Sequence, residues 1–555
     1  MKSARALGPL AVLLALLGSS AGAERVTVSG YLENDTAYRI RSPYYTQKSQ
    51  THLEIEVEAR LLDSLSLHAI GRSIWDPPRR LVGPDPDFGQ KPVDRWYVAG
   101  TRSLEAELRE AYIDWSGQLG PALVDVRLGK QQYVWGDAIG LRIIDIANAQ
   151  DFREFVLDDF VDARIPTFGI RVDALIDEWS VQVFAVPDFE QDRLAGFSTE
   201  FAFDPELPGL VPTLALTPPL PMMDVIAEIP IQLTFPGSPL TLEFPVTVNA
   251  GALVAGIQPP SFPLVIVEDE DVPRDWRLSS TAFGLRIARL WKGFDLALYY
   301  HDALDTAPAI RRRIEYTTVI VPIEVPTPDF SPAVVEPESF VLEVPVPLVV
   351  NRIRSDHVRV RSVGASFATA FGSFAFWGEG IARFGRAFVV DDLSDDDGVV
   401  RSSEIRYALG LDYMGWDHVF IGVQWIQQIL PSHRSTMELD KVTSFLSLLV
   451  RLELRNATVF PQVFAMYGLN ERDSWIRPSV EWKATDNLSF TIGADVFTGN
   501  RSGLFGQFAA RRRCTDVSGV PSDLLPGLDA SLADCPEGRA SRAFLQVRYS
   551  FDFSF

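Results

Sequence analysis

The densest run of chemically capable side chains lies between Val126 and Pro166. There Asp137, Arg142, Asp145, Arg153, Glu154, Asp158, Asp159, Asp162 and Arg164 bring both signs of charge into one short segment. Such a segment is either a solvated lid or, when crowded into a narrow space, the source of a field that solutes must cross. Enzyme chemistry has no comparable signal. The six histidines (His52, His68, His301, His357, His418, His433) are scattered without zinc-ligand spacing. No G-x-S-x-G elbow and no phosphate-cradling loop occurs. Gly378-Glu379-Gly380 lacks the third glycine of a dinucleotide loop and reads as small lipid-facing residues in a strand. The acidic run Asp391 to Asp397 fails the calcium-loop register, because counting back from Gly398 puts Leu393 at the first ligand position. It reads as a solvated loop. The expectation is a protein that is not an enzyme, with no cofactor and no metal. Cys514 and Cys535, the two cysteines, fall in one connection and are expected to form a disulfide. Its closure contributes roughly 3 kcal/mol in the chain-entropy picture.

Composition says what must position these residues. The chain has 555 residues, 47% hydrophobic and 22% charged, with 38 Gly, 38 Pro and a formal charge of −22. The acidic balance argues against nucleic acid as a partner. Without an uncharged, proline-free apolar run of about 18 residues, a bundle of membrane helices is excluded. Short alternating segments dominate instead. Leu53, Ile55, Val57, Ala59 and Leu61 alternate with Glu54, Glu56, Glu58 and Arg60, and Val126 and Leu128 alternate with Arg127. An apolar face toward lipid and a polar face toward a lumen is what a transmembrane β-strand requires, so Glu54, Glu56, Glu58, Arg60 and Arg127 are expected to face inward. The last residues alternate too, with Leu545, Val547, Tyr549, Phe551, Phe553 and Phe555 on one face. Tyr549, Phe551, Phe553 and Phe555 form a terminal aromatic stripe of the kind read by the outer-membrane barrel assembly machinery. Residues 1–23 read as a signal peptide, from Lys2 and Arg5 through an apolar stretch to Ala21-Gly22-Ala23. Residues 24–555 then form a single barrel.

Turn signals give the strand number. Short turns are expected at Asp63-Ser64, Ser116 to Pro121, Asp177-Glu178, Lys292-Gly293, Gly372-Ser373, Gly415-Trp416, Arg455-Asn456 and Asp486-Asn487. With a first and a last strand they imply about eighteen antiparallel strands, sixteen being the nearest alternative, joined at the other end by long outer loops. The charged segment is the third of these loops and is expected to fold inward, with helix from Asn148 to Leu157 and Asn148 as its N-cap. Arg142, Arg153 and Arg164 are expected to face Asp145, Glu154, Asp158, Asp159 or Asp162. Two other loops, 188–277 and 304–356, carry Pro-rich apolar insertions whose proline density forbids helix. They either pair with each other above the membrane or present a greasy surface to hydrophobic cargo.

The run Val126-Arg-Leu-Gly-Lys-Gln-Gln-Tyr-Val-Trp-Gly136, followed by Gly140-Leu-Arg142, Asp145, Asn148, Asp151-Phe-Arg153-Glu154-Phe155 and Arg164-Ile-Pro166, and preceded by Leu108-Arg-Glu-Ala-Tyr-Ile-Asp114, closely resembles the outer-membrane family of domain of unknown function 1302. The chain departs from that pattern at Asp137, Ile139 and Ala149. The resemblance implies a porin-like barrel in the outer membrane of a Gram-negative bacterium. It also implies association with machinery of the resistance-nodulation-division type, an inner-membrane exporter and a periplasmic carrier among it. Outer-membrane lipids and the assembly machinery complete the expected partners. The expected function is passage of small hydrophobic or lipid-like compounds. The competing readings are a surface hydrolase or an adhesive, structural barrel. The glutamates at positions 54, 56 and 58 favour cations for any ionic leak.

Overall fold

The computed structural model describes residues 26–41, 44–76, 97–101, 104–136, 138–195, 201, 226–234, 241–249, 264–267, 273, 276–326, 334–335, 339–390, 395, 397–437, 439–500, 502–509 and 540–555. The segment 1–23, Asp137, Cys514 and Cys535 lie outside them, as does most of the acidic run Asp391 to Asp397.

Alternation dictates strands, and the strands close on themselves. In chain order they are β1 (Val26–Arg39), β2 (Thr46–Leu62), β3 (Leu65–Trp75), β4 (Leu104–Leu119), β5 (Ala122–Gln131), β6 (Thr167–Ile176), β7 (Trp179–Val186), β8 (Ala282–Trp291) and β9 (Phe294–Leu304). The second half is β10 (Arg359–Phe371), β11 (Phe374–Val389), β12 (Val399–Tyr413), β13 (Val419–Ile429), β14 (Val442–Leu452), β15 (Val459–Gly468), β16 (Asp473–Lys483), β17 (Leu488–Thr498) and β18 (Arg542–Ser554). Each pairs with its sequence neighbour. A short outer strand, Tyr97–Thr101, adds to β4. The terminal stripe performs the closure, as β18 runs antiparallel to β1 from Thr27 opposite Ser554 to Arg39 opposite Arg542. This is an eighteen-strand antiparallel barrel, and sixteen is excluded. All eight expected short turns connect consecutive strands.

The outward face is apolar where the register says it must be. Ile113, Leu128 and Ile170 stand opposite one another across β4, β5 and β6, and all three are exposed. Gly378 sits on the same outer side, under Phe367 and Leu409. The short-turn end carries a girdle of exposed aromatics: Trp179, Trp291, Phe371, Phe374, Trp416 and Trp482. Such rings prefer the membrane–water interface.

The Pro-rich insertions fold as ribbons that pair with each other. Residues 309–326 run antiparallel to 339–356. Residues 264–267 of the other insertion lie parallel to 350–353, and Leu233 and Thr234 pair with Val335 and Val334. The register explains how proline is tolerated. Pro322, Pro326, Pro345 and Pro347 all fall in one alternate class of pairs, and Pro230 stands opposite Pro245. A residue without an N–H fits only the pairs that exchange no hydrogen bonds.

The expectation of helix from Asn148 to Leu157 is overturned. Ala149–Phe152 is a short strand, pairing with Arg164–Ile165 and Arg193–Leu194, and among the described residues of the loop the helical turn is Phe160–Ala163. Phe155 takes a positive φ of 58°, which no helix accommodates. The Asn148 side chain is engaged elsewhere, as described next.

The third loop and the lumen it divides

The loop leaves β5 and turns into the barrel because its apolar residues have a wall to meet there. Tyr133, Trp135, Ile143 and Ile144 are buried, packed with Phe184, Tyr299, Ile426, Phe464 and Trp475 from widely separated strands. Trp135 Nε1 donates to Gln182 at 2.8 Å, and its ring centroid lies 5.2 Å from that of Phe184. Asn148, a poor cap here, is a clasp. Its Nδ2 donates to the Tyr133 carbonyl at 2.6 Å and its Oδ1 accepts from the Tyr133 N–H at 3.0 Å, tying the return of the loop to its exit. Farther across, the Ile139 N–H donates to Gln424 on β13 at 3.0 Å, and Arg477 on β16 donates to the Leu157 carbonyl at 2.6 Å. Gly140, at φ +86°, passes so close to Phe464 and Met466 that a Cβ would lie 2.7 and 2.6 Å from their side chains. Glycine is required there by conformation and by space.

The loop's charges are partnered chiefly by the wall. Glu154 accepts from Lys48 of β2 at 2.6 Å and from Arg542 of β18 at 2.9 Å. Asp162 is bonded by Arg72 of β3. Arg153 grips Glu105 of β4 at 2.6 Å and its neighbour Asp151 at 2.7 Å. Arg109 of β4 donates to the carbonyls of Asp162 and Arg164 at 3.0 Å each. The expected pairing within the loop holds for Arg164, 2.8 Å from Asp145, and more loosely for Arg142, 3.7 Å from the same carboxylate. It does not hold for Arg153. Lys48, Arg72, Arg109, Glu105 and Arg542 were not singled out from sequence. Each but Arg109, which adjoins Glu110, is an isolated charge in an alternating strand, a pattern that marks an inward residue but not its partner.

Asp158 and Asp159 differ from the rest. Neither side chain makes a hydrogen bond or an ion pair among the described residues. Burial, reinforced by the neighbouring Glu154 charge, pushes the Asp158 carboxyl up to about 7. Burial opposes ionisation of Glu154 as well, but Lys48 and Arg542 outweigh it and hold that carboxyl well below its usual range.

Glu54, Glu56, Glu58 and Arg60 occupy one alternating face of β2, and Arg127 lies on β5. Glu54 pairs with Arg72, the Glu56 carboxylate accepts from Ser29, and both share a face with His52, which lines the lumen. Glu58 and Arg60 continue that alternation and are exposed. Arg127 is held by Asp114 at 2.7 Å and lies over the Tyr112 ring. A second buried ion cluster crosses the lumen wall, with Asp305 accepting from Arg383 at 3.0 Å and Arg386 at 2.9 Å, and Glu404 lying 2.9 Å from Arg386 and 3.0 Å from Arg406.

The loop divides the lumen into two chambers. One, about 460 Å³, lies against β1 to β4 and β15 to β18, and is lined by eleven carboxylates and eight Lys or Arg. The other, about 860 Å³, lies on the loop's far side and has largely apolar walls, among them Phe152, Phe155, Phe160, Ile426, Met437 and Phe445. Among the described residues Asp158 alone lines both.

A family model described as a protein of unknown function, DUF1302, matches residues 89–439. No curated protein matches the chain. In overall backbone the chain is similar to OccAB2 of Acinetobacter baumannii, at 9% identity and a TM-score of 0.43, covering 95% of this chain and 98% of that one. It is similar to OccK8 (OprE) of Pseudomonas aeruginosa at 7% identity and a TM-score of 0.43, covering 96% and 98%. It is also similar to an OmpT loop-deletion variant, an outer membrane protein of Vibrio cholerae, at 8% identity and a TM-score of 0.34, covering 96% and 100%.

Proposed function

This chain belongs to the DUF1302 family, and from that membership and the geometry of its lumen we propose that it is a porin-like channel of the outer membrane, constricted by its third loop. The observation that carries the reading is the seating of that loop. A charged segment buried against opposite walls and fixed by ion pairs to β2, β3, β4 and β18 narrows the lumen. A lid on the rim would leave Lys48, Arg72 and Arg542 with only the wall carboxylates Asp35, Glu54 and Asp495. The loop thereby converts a wide barrel into two small chambers, and a solute must meet its charges or its apolar flank. The constriction is assigned to Arg142, Asp145, Arg153, Glu154, Asp158, Asp159, Asp162 and Arg164.

The cargo assigned is small hydrophobic or lipid-like compounds, because the larger chamber offers mainly apolar wall and the rim carries the Pro-rich ribbons. Handover to an inner-membrane exporter of the resistance-nodulation-division type, through a periplasmic carrier, is the partnership the family resemblance suggests. The test is a strain deleted for this protein, challenged with a panel of hydrophobic and polar compounds and scored for uptake and export. Selective loss of flux for the hydrophobic members supports the reading. An unchanged panel refutes it.

A further inference from the structure

We propose that the larger chamber is a binding site for amphipathic organic cations, with Asp158 as the counter-charge for the cationic head. The inference deepens the channel reading and rests on it for the route by which such a solute arrives.

The argument is one of charge matching inside an apolar box. Four arginines line this chamber, and each already has a carboxylate. Arg142 lies 3.7 Å from Asp145, Arg383 and Arg386 hold Asp305 at 3.0 and 2.9 Å, and Arg406 holds Glu404 at 3.0 Å. Seven carboxylates line the same chamber against these four arginines, so its lining is net acidic and favours a cation over an anion. The carboxylates are also occupied, with one exception. Asp145 is taken by Arg164 at 2.8 Å, and Asp192 accepts from the Gln150 N–H at 2.8 Å. Asp473 accepts from the Phe505 N–H at 2.6 Å, Asp440 from Asn470 at 3.1 Å, and Glu471 from Ser502. Asp158 makes neither a hydrogen bond nor an ion pair, and its surface remains partly open. A half-buried carboxylate left without a donor is the feature that a cation satisfies best.

The walls specify the rest of the ligand. Phe152, Phe155 and Phe445 supply aromatic surface to the same chamber, Phe160 being already covered by Arg142, and Ile426 and Met437 add aliphatic surface. Aromatic faces attract a quaternary ammonium and also cover an apolar body. A small inorganic cation gains nothing from such walls, and a neutral hydrocarbon gains nothing from Asp158. A ligand with an ammonium head and a benzyl or alkyl body uses both. Because Asp158 borders both chambers, its occupant would sit where solutes pass from the charged side to the apolar side.

The test measures equilibrium binding of benzyltriethylammonium to the full-length protein in detergent by calorimetry, with benzenesulfonate as the anion of similar shape. The expected result is binding of the cation only, about tenfold weaker in Asp158→Asn, retained in Asp158→Glu, and unaltered in Asp486→Asn, which removes a carboxylate from a short turn. Each variant's barrel is checked by its heat-modifiable gel shift, so lost binding in a folded Asp158→Asn supports the site. Wild-type affinity in Asp158→Asn, equal binding of benzenesulfonate, or no cation binding by wild type overturns it. Conductance in potassium chloride alone is recorded separately. A protein that binds the cation but does not conduct would refute the channel reading and leave the site standing, whereas a conducting protein that binds no cation would do the reverse.

Discussion

Asp158 is the residue on which the lumen's electrostatics turn. Its carboxyl is pushed up to about 7 by burial and by Glu154, with Lys48, Arg542 and Asp151 the other charged groups acting on it. Glu154 stays ionised over the same range, and Asp192, pushed up to about 6 by burial, titrates lower, so the step centred near 7 belongs to Asp158. Above pH 7 it is charged and adds a negative site to the passage, and below pH 7 it is neutral. Cation selectivity, read as a reversal potential in a potassium chloride gradient, should therefore fall between about pH 8 and about pH 6. Asp158→Asn should show no such step, and a persistent step in that variant would assign it to another group. Gly140 makes a second prediction at this scale. Gly140→Val places a side chain into Phe464 and Met466 at φ +86°, where a non-glycine residue costs about 1–3 kcal/mol. The loop should loosen, seen as a lower unfolding temperature in detergent, while Gly71→Ala, in open space, should be silent. Equal stability of the two variants would mean that the loop does not press on the wall at Gly140.

At the scale of elements, what was legible was whatever depends on local pattern. A short turn needs only Gly, Asn or Asp between two alternating runs, so Asp63-Ser64, Lys292-Gly293 and Asp486-Asn487 announce themselves and the strand number follows. Glu404 and Arg406 likewise fall on the polar side of their strand by parity alone. What was not legible depends on closure. Arg542 meets Glu154, 388 positions away, because β18 pairs with β1 and the third loop turns toward that seam. No spacing in the sequence encodes that meeting. Asn148 shows the opposite failure, in which a good local cap signal is overridden by a tertiary demand, the unpaired backbone of Tyr133. The Pro-rich segments read correctly as extended, yet their pairing with each other follows from a register that composition leaves open. The last long connection rests on sequence alone, since Cys514 and Cys535 lie outside the described residues. Thiol labelling under denaturing, non-reducing conditions should find neither cysteine reactive, and labelling of both would refute the bridge.

For the whole molecule, the barrel and its inward loop form one electrostatic unit. Lys48, Arg72 and Arg542 on the wall each bridge a wall carboxylate (Asp35, Glu54 or Asp495) and a loop carboxylate (Glu154 or Asp162), which joins loop and wall in one network. Segment 138–162 carries six carboxylates and two arginines. Its removal takes net negative charge out of the passage and leaves Lys48, Arg72 and Arg542 with only their wall partners Asp35, Glu54 and Asp495. The most direct test of the account is single-channel recording in planar bilayers with the wild-type protein and with the variant lacking residues 138–162, both first shown to form heat-modifiable barrels. The account predicts small, cation-favouring steps for wild type, and steps several-fold larger with selectivity moved toward anions for the deletion. Wild type that does not conduct, or a deletion that conducts with wild-type size and selectivity, would contradict it.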